Sequence, residues 1–327
     1  MVGSSNTDMI IKLEHIPQAG ETILGGEFAT AAGGKGANQA VAAARAGGEV
    51  TFVARVGRDV FGEKAVGGFV EDGINVRHVT RDPSAPSGVA LIFVAKDGEN
   101  SIAVASGANS RLLPGDVRKA NAAIAGARVV MMQLEIPVAT VVAAAELAAR
   151  ANVPVILNPA PAQVLPNKLL KLVSILTPNE SEAKLLTGIT VTDEATAARA
   201  AGRLRERGVK TVILTLGARG AFVATNAEQW LVPGFRMKAV DTTAAGDVFN
   251  GALAVALGEG RALFDAVGFA NAAAAISVTR VGAQPSAPKR EEIELLLARV
   301  RRTPDAGALR SGSSEGRLVK PPSGKPR

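Results

Sequence analysis

The chain of 327 residues contains no cysteine and no tyrosine, one tryptophan, and only two histidines, His15 and His78. Without cysteine there can be no disulfide, zinc–thiolate site, iron–sulfur cluster or thiol nucleophile. Two histidines make a multi-histidine metal centre or a serine–histidine hydrolase a poor fit. Carboxylates, lysine, arginine, hydroxyls and backbone amides are left to carry any chemistry. No apolar run approaches the roughly 18 residues of a membrane span. The opening MVGSSNTDMIIKLEHIP lacks the basic segment and apolar core of a signal peptide, so the expectation is a cytoplasmic protein with no membrane partner.

Aromatic residues make up only 3% of the chain, which leaves few platforms for stacking bases. The net charge of +7 still invites a nucleic-acid reading, and its placement argues against one. Residues 303–327 carry five basic side chains (Arg310, Arg317, Lys320, Lys325, Arg327) and two acidic ones (Asp305, Glu315), and so supply +3 of the total. This segment is rich in Pro, Gly and Ser and is expected to be a disordered basic tail; no nucleic-acid partner is expected. The rest, with 47% hydrophobic and 20% charged residues overall, has ample material for a core.

Apolar runs at 50–56, 128–134, 153–159, 173–180 and 210–217 read as strands separated by Ala-rich helical stretches. That alternation predicts βαβ units, hence an α/β fold with a mostly parallel central sheet covered by helices on both faces. A β-hairpin is expected over 220–240, and helices over 247–255, 262–278 and 291–301. Residues 9–30 and 88–105 depart from the alternation. They read as short strands without an intervening helix, with Asp97-Gly98 as a hairpin turn. Together they predict a small β-sheet lid on a domain spanning 1–302.

Several polar clusters fall where strands end and helices begin. In DTTAAGDVFNGA (241–252), Ala245, Gly246 and Asp247 open a helix whose free amides and dipole suit an anion, and Asp247 could take a proton from a hydroxyl. A plain acidic helix start explains the same letters. GGKGANQA (33–40) is not a P-loop, but Gly33 and Gly34 allow close approach to a ligand, with Lys35 and Asn38 beside it; a flexible loop is the plainer reading. TLGARG (215–220) suits a loop under a nucleotide or an ordinary turn. In TPNESEA, Asn179 and Glu182 fit either a metal–phosphate site or a capping box. Asn6, Asp8 and Glu135 sit at strand ends, where turn chemistry is the simple alternative. In open α/β sheets, however, ligands bind at the carboxyl ends of strands, and five such clusters recur there.

GSSNTD, GGKGANQA, SGANSRL, QLEIP, LNPAPA, TPNESEA, TLGARG, DTTAAGDVFNGA and TRVGAQPS together resemble the PfkB-type, ribokinase-like family of carbohydrate kinases, over essentially Val2 to Arg301. The resemblance implies ATP-dependent transfer of a phosphoryl group to O5 of D-ribose, with related sugar or nucleoside kinases (deoxyribose, fructose, adenosine) and a non-catalytic sugar sensor as alternatives. It implies that Asp247 is the base, with the amides of Ala245, Gly246 and Asp247 as an anion hole. Asn6, Asp8, Gly34, Lys35, Asn38 and Glu135 match the sugar positions. Asn179, Thr215, Leu216, Gly217, Ala218, Arg219, Gly220, Gly246 and Asn271 match the ATP positions. Asn179 and Glu182 match the Mg²⁺ motif, and Asp241, Thr243, Ser277, Arg280, Gly282 and Ser286 the loop that takes K⁺. Lid-to-lid pairing into a homodimer is implied as well. Two departures from the family pattern are visible: the chain starts at the end of the first core strand, and the basic tail has no counterpart.

Overall fold

The computed structural model describes residues 1–302; the tail expected at 303–327 lies outside the described residues. The chain first forms β1 (Asn6–Leu13), β2 (Glu27–Gly33), α1 (Lys35–Arg45), β3 (Thr51–Gly57), α2 (Val60–Glu71), β4 (Asn75–Asp82), β5 (Gly88–Ala95) and β6 (Asn100–Ala105). Two short helices, α3 (Pro114–Lys119) and α4 (Asn121–Ala125), lead to β7 (Val130–Met132), α5 (Val138–Arg150) and β8 (Val155–Leu157). Then follow α6 (Asn167–Leu170), β9 (Ile175–Leu176), α7 (Glu180–Thr187), α8 (Glu194–Glu206), β10 (Thr211–Thr215), β11 (Gly220–Ala224) and β12 (Gln229–Pro233). Three helices close the fold: α9 (Ala245–Gly258), α10 (Leu263–Ser277) and α11 (Arg290–Arg302).

The central sheet runs β12-β11-β10-β9-β8-β7, with β7 to β10 parallel and β11 and β12 added antiparallel. In β10, Val212 and Leu214 pack into one apolar cluster and Ile213 into the other. Successive strand residues point to opposite faces, so burial of both faces is why these runs are continuously apolar. Helices α5 and α8 cover one side with Val141, Ala197 and Leu204, while α9 and α10 cover the other with Phe249, Leu253, Val267 and Phe269. β3 and β4 form a separate parallel pair, and Val2 bridges both Val53 of β3 and Met132 of β7. A cavity of about 870 Å³ opens beside that bridge, between Thr51 and Val130.

The lid is a four-stranded sheet, β2-β1-β5-β6. It begins earlier than residue 9, because β1 starts at Asn6; Asn6 and Asp8 are therefore lid-strand residues and do not end a core strand. β4 and the α3–α4 pair were not legible: β4 reads NVRHVTRD, mixed in burial, with no apolar run to mark it. The hairpin expected over 220–240 stops at Pro233, after which the chain crosses without regular structure to α9.

Candidate active site

The site forms where α1 meets α9. Gly251 makes the approach possible: a Cβ there would stand 2.7 Å from the Gln39 carbonyl and 2.8 Å from the Ala42 methyl. Asp247 lies one turn earlier on α9, so the close crossing brings it against the first turn of α1. Lys35, Asn38 and Gln39, spaced i, i+3 and i+4, share the facing side of that helix. Asn38 Nδ2 donates to Asp247 Oδ2 at 3.1 Å, and Gln39 Nε2 to Oδ1 at 2.9 Å. The Asp247 carboxylate is only 4% exposed, so these amide donors and the nearby Lys35 replace the water it has lost.

α1 has no side-chain cap of its own; its N-cap Gly34 has φ 88°, and a Cβ there would stand 2.6 Å from the Asn6 nitrogen. Its first amides are met from elsewhere. Lys35 N donates to Glu135 Oε2 at 2.9 Å, Gly36 N to Ser4 Oγ at 3.2 Å, and Ala37 N to the Ser4 carbonyl at 2.8 Å. Ser4 Oγ in turn donates to Glu135 Oε2 at 2.6 Å. Asp8 reaches in from β1, its carboxylate lying directly over Gly33, where any Cβ would overlap it. Burial pushes the Asp8 pKa up to about 6, and the Glu135 and Asp247 charges push the same way. Lys35 is held above its ordinary value, chiefly by Asp247 and then by Glu135 and Glu182, against the opposing effect of burial. Asn6 Oδ1 accepts from Asn109 Nδ2 at 2.7 Å, which fixes its amide. Asn38 Oδ1 is buried and accepts no hydrogen bond among the described residues.

At the start of α9, Ala244 takes φ 57°, an uncommon left-handed conformation for a residue with a side chain. Ala245 N is spent on the Thr242 carbonyl at 3.3 Å, so of the three amides expected to form an anion hole, those of Gly246 and Asp247 are the ones left for a ligand. A cavity of about 180 Å³ joins this turn to Lys35, Asn158, Asn179, Glu182 and Thr215.

On the far wall of that cavity, Asn179 caps α7. Glu182 N donates to Asn179 Oδ1 at 2.8 Å, while Glu182 Oε2 accepts from Asn179 N at 2.9 Å. The capping-box reading therefore holds, and it places Glu182, 8% exposed, on the cavity at the same time. Burial raises the Glu182 pKa, outweighing the Asn179 amide and Lys35. Among the described residues no group of three or more acidic or histidine side chains is assembled for a metal ion. Thr215 ends β10, Leu216 follows it, and Gly217, Ala218 and Arg219 form an exposed single turn before Gly220. Arg219 pairs with Glu180 and donates to the Thr192 carbonyl at 3.0 Å, tying that turn to α7 and to the segment before α8. Asn271 is turned to β12: its Nδ2 donates to the carbonyls of Val232 and Pro233 at 3.1 and 3.2 Å.

Asp241 joins two segments distant in sequence. Its Oδ1 accepts from Thr243 N and its Oδ2 from Gly282 N, both at 2.8 Å. Burial raises its pKa, but the bonds from Thr243 and Gly282 bring it below the usual carboxylate value. Arg280 turns away to pair with Glu292, and Ser277 and Ser286 donate their hydroxyls to the carbonyls of Ala274 and Ala283.

The sequence pattern described as pfkB family carbohydrate kinase matches residues 1–290. The chain belongs to that family. The chain is similar to a ribokinase of Haemophilus influenzae, 47% identical over 292 residues, covering 89% of this chain and 95% of the relative. A deoxyribokinase of Salmonella typhi is 37% identical over 300 residues, covering 91% and 98% of the two chains. Among solved structures, the ribokinase of Arabidopsis thaliana complexed with ribose and ATP superposes with a TM-score of 0.85 at 35% identity, covering 90% of this chain and 97% of that one. A carbohydrate kinase is a phosphotransferase, and the two-sided site has the layout such an enzyme needs.

Gln39, Asn158, Thr177 and Asn250 also belong to the site's polar shell and were not singled out from sequence. For Gln39 a signal existed, since it stands four residues after Lys35 on the same helical face. Asn158, at the end of β8, had only its strand-end position.

Proposed function

We propose that this pfkB kinase transfers the γ-phosphoryl group of ATP to the O5 hydroxyl of D-ribose. The observation that carries the reading is the buried Asp247 carboxylate, held at both oxygens by α1 amides, between a pocket of hydroxyl-binding groups and a helix start with free amides. Asn6, Asp8, Gly34, Lys35, Asn38 and Glu135 would take the sugar hydroxyls; the unpartnered Asn38 Oδ1 is one acceptor already in place. The carboxylate accepts the O5 proton as the new P–O bond forms and the bond from the γ-phosphorus to the departing ADP breaks, and proton transfer of this kind contributes about 10²–10⁴-fold. The amides of Gly246 and Asp247 face the transferring group and stabilise its developing charge, at about 3–4 kcal/mol for a well-placed donor. Lys35 stays protonated among the acidic groups and adds a positive charge on the same side. Positioning and charge suffice for this chemistry, which needs neither cysteine nor histidine.

The nucleotide would lie along Thr215 to Gly220, its triphosphate passing Asn179 toward Gly246. Asn271 supports that wall through β12. A divalent ion such as Mg²⁺ fits a site with one acid, Glu182, when the phosphates and water supply its other ligands, and it would neutralise phosphate charge there. K⁺ is proposed at the junction of Asp241 and Thr243 with the segment holding Ser277, Arg280, Gly282 and Ser286, where it would steady the turn before Ala245.

We place the protein in the cytoplasm, paired as a homodimer through the lid. Ile102 and Val104 on the lid face shared by Asp8, and Phe28 and Leu91 on the opposite face, are large apolar residues at 47 to 66% exposure. A small sheet with both faces exposed gains by burying them. Sedimentation at micromolar concentration reads this directly, and monomer alone would rule it out.

The test of the activity is an acceptor panel. ATP consumption with ribose, 2-deoxyribose, fructose and adenosine is measured side by side, with Mg²⁺ and K⁺ present. Ribose is expected to give the highest kcat/KM, and preference for another acceptor would reassign the substrate.

A further inference from the structure

Gln39 touches neither sugar nor nucleotide in the scheme above, yet its fully buried amide is completely committed. Its Nε2 donates to Asp247 Oδ1 at 2.9 Å and to Asn158 Oδ1 at 3.1 Å, and its Oε1 accepts from the Gln133 amide. These partners allow one orientation only. A flipped amide would set its oxygen against the carboxylate and its nitrogen against another donor. Asn158 is itself anchored, its Nδ2 donating to the Thr177 carbonyl at 3.1 Å. Gln39 thus ties Asp247 both to α1 and to the carboxyl ends of the central strands. Its neighbour Asn38 has a different position: it holds Oδ2 and keeps an unpartnered Oδ1. One oxygen of Asp247 is therefore fixed by a residue with no capacity left for a ligand, the other by a residue that still has some.

We propose that Gln39 is a positioning residue for phosphoryl transfer: by fixing Oδ1 it sets the plane of the Asp247 carboxylate, so that Oδ2 is presented to the acceptor hydroxyl. This rests on Asp247 being the proton acceptor. Substrate binding should depend little on Gln39, because no substrate group reaches it. The rate should depend on it strongly, since a displacement of roughly 1 Å at a reacting group can cost about 10²-fold.

The variant Gln39→Met keeps the length and removes the donors; Gln39→Asn keeps a buried amide and loses the reach. Either is expected to lower kcat by about 10- to 100-fold, with KM for ribose and ATP within about twofold of wild type. Thermal melts without substrate give a second readout. In a cycle of Gln39→Met and Asp247→Asn, the Tm loss of the double variant should differ from the sum of the single losses, as for residues in direct contact. A kcat within threefold of wild type in both Gln39 variants would overturn the positioning role, and additive melts would overturn the coupling itself. A wild-type enzyme inactive on ribose would instead overturn the substrate assignment, while the melts would still report on Gln39 and Asp247.

Discussion

Gly251 of α9 lies so close to Ala42 of α1 that a Cβ at position 251 would stand 2.8 Å from the Ala42 methyl and 2.7 Å from the Gln39 carbonyl oxygen. The separation of these two helices sets the distance between the Asp247 carboxylate and the side-chain amides that hold it. Helix spacing and chemistry are thus coupled through one missing methyl group.

An alanine in a helix interior normally stabilises by about 0.5–1 kcal/mol over glycine. At Gly251 the contacts include backbone atoms that cannot rotate away, and overpacking of this kind costs about 1–3 kcal/mol. Gly251→Ala is therefore expected to lower Tm and to reduce kcat as well. Gly268, in α10, meets nothing within 4 Å at its Cβ position, so Gly268→Ala should raise Tm or leave it unchanged. Melting curves of the two variants decide; equal shifts would show that the α1–α9 contact is not tight.

The pKa of Asp8, pushed up to about 6, gives a signed pH dependence. A carboxyl group whose folded pKa exceeds its unfolded value binds more protons in the folded state between the two. Its contribution is therefore fully present below about pH 4 and is lost as pH rises through about 6. Without sugar, Asp8→Asn should gain stability over wild type as pH rises from 4.5 to 7.5. Melts across that range test it, and a Tm difference independent of pH would refute the shift. If Asp8 takes a ribose hydroxyl as proposed, its ionised form is the better acceptor, and KM for ribose should fall as pH rises through 6.

Asp241 already links Thr243 and Gly282 through its carboxylate. If K⁺ completes that junction, it acts by holding the turn ahead of Gly246 and Asp247 in place, since donors stabilise developing charge best when already aimed. Initial rates at fixed ionic strength should be higher in KCl than in NaCl or in a bulky organic cation, and Asp241→Asn should reduce the difference. Equal rates in the three salts would leave the ion no role beyond screening.

Much of the framework was legible because it follows local rules. The continuous apolar runs around Val212–Leu214 and Val155–Leu157 declared buried parallel strands, and the letters from Ala245 to Asp247 declared a helix start. β1 was harder, because its residues Asn6 and Asp8 are polar and so break the strand pattern. Asn179 and Glu182 looked like alternatives between a cap and a ligand site; the structure shows the capping box and places it on the cavity wall. Contacts set by tertiary packing were hidden. Gln39 to Asp247, 208 residues apart, depends on how closely two helices approach, and Asp241 to Gly282 on a crossing between the ends of separate elements. The pairing of Arg280 with Glu292, and the turning of Asn271 toward β12, were likewise not available from spacing.

The most direct test of the account is phosphorus NMR of the product formed from ribose and ATP by wild type and by Asp247→Asn, with ligand affinities measured in parallel. Wild type should yield ribose 5-phosphate and ADP. Asp247→Asn should bind both substrates with affinities near those of wild type and turn over about 10²–10⁴-fold more slowly. An Asp247→Asn enzyme within tenfold of wild type, or a wild-type product phosphorylated at another position, would contradict the account.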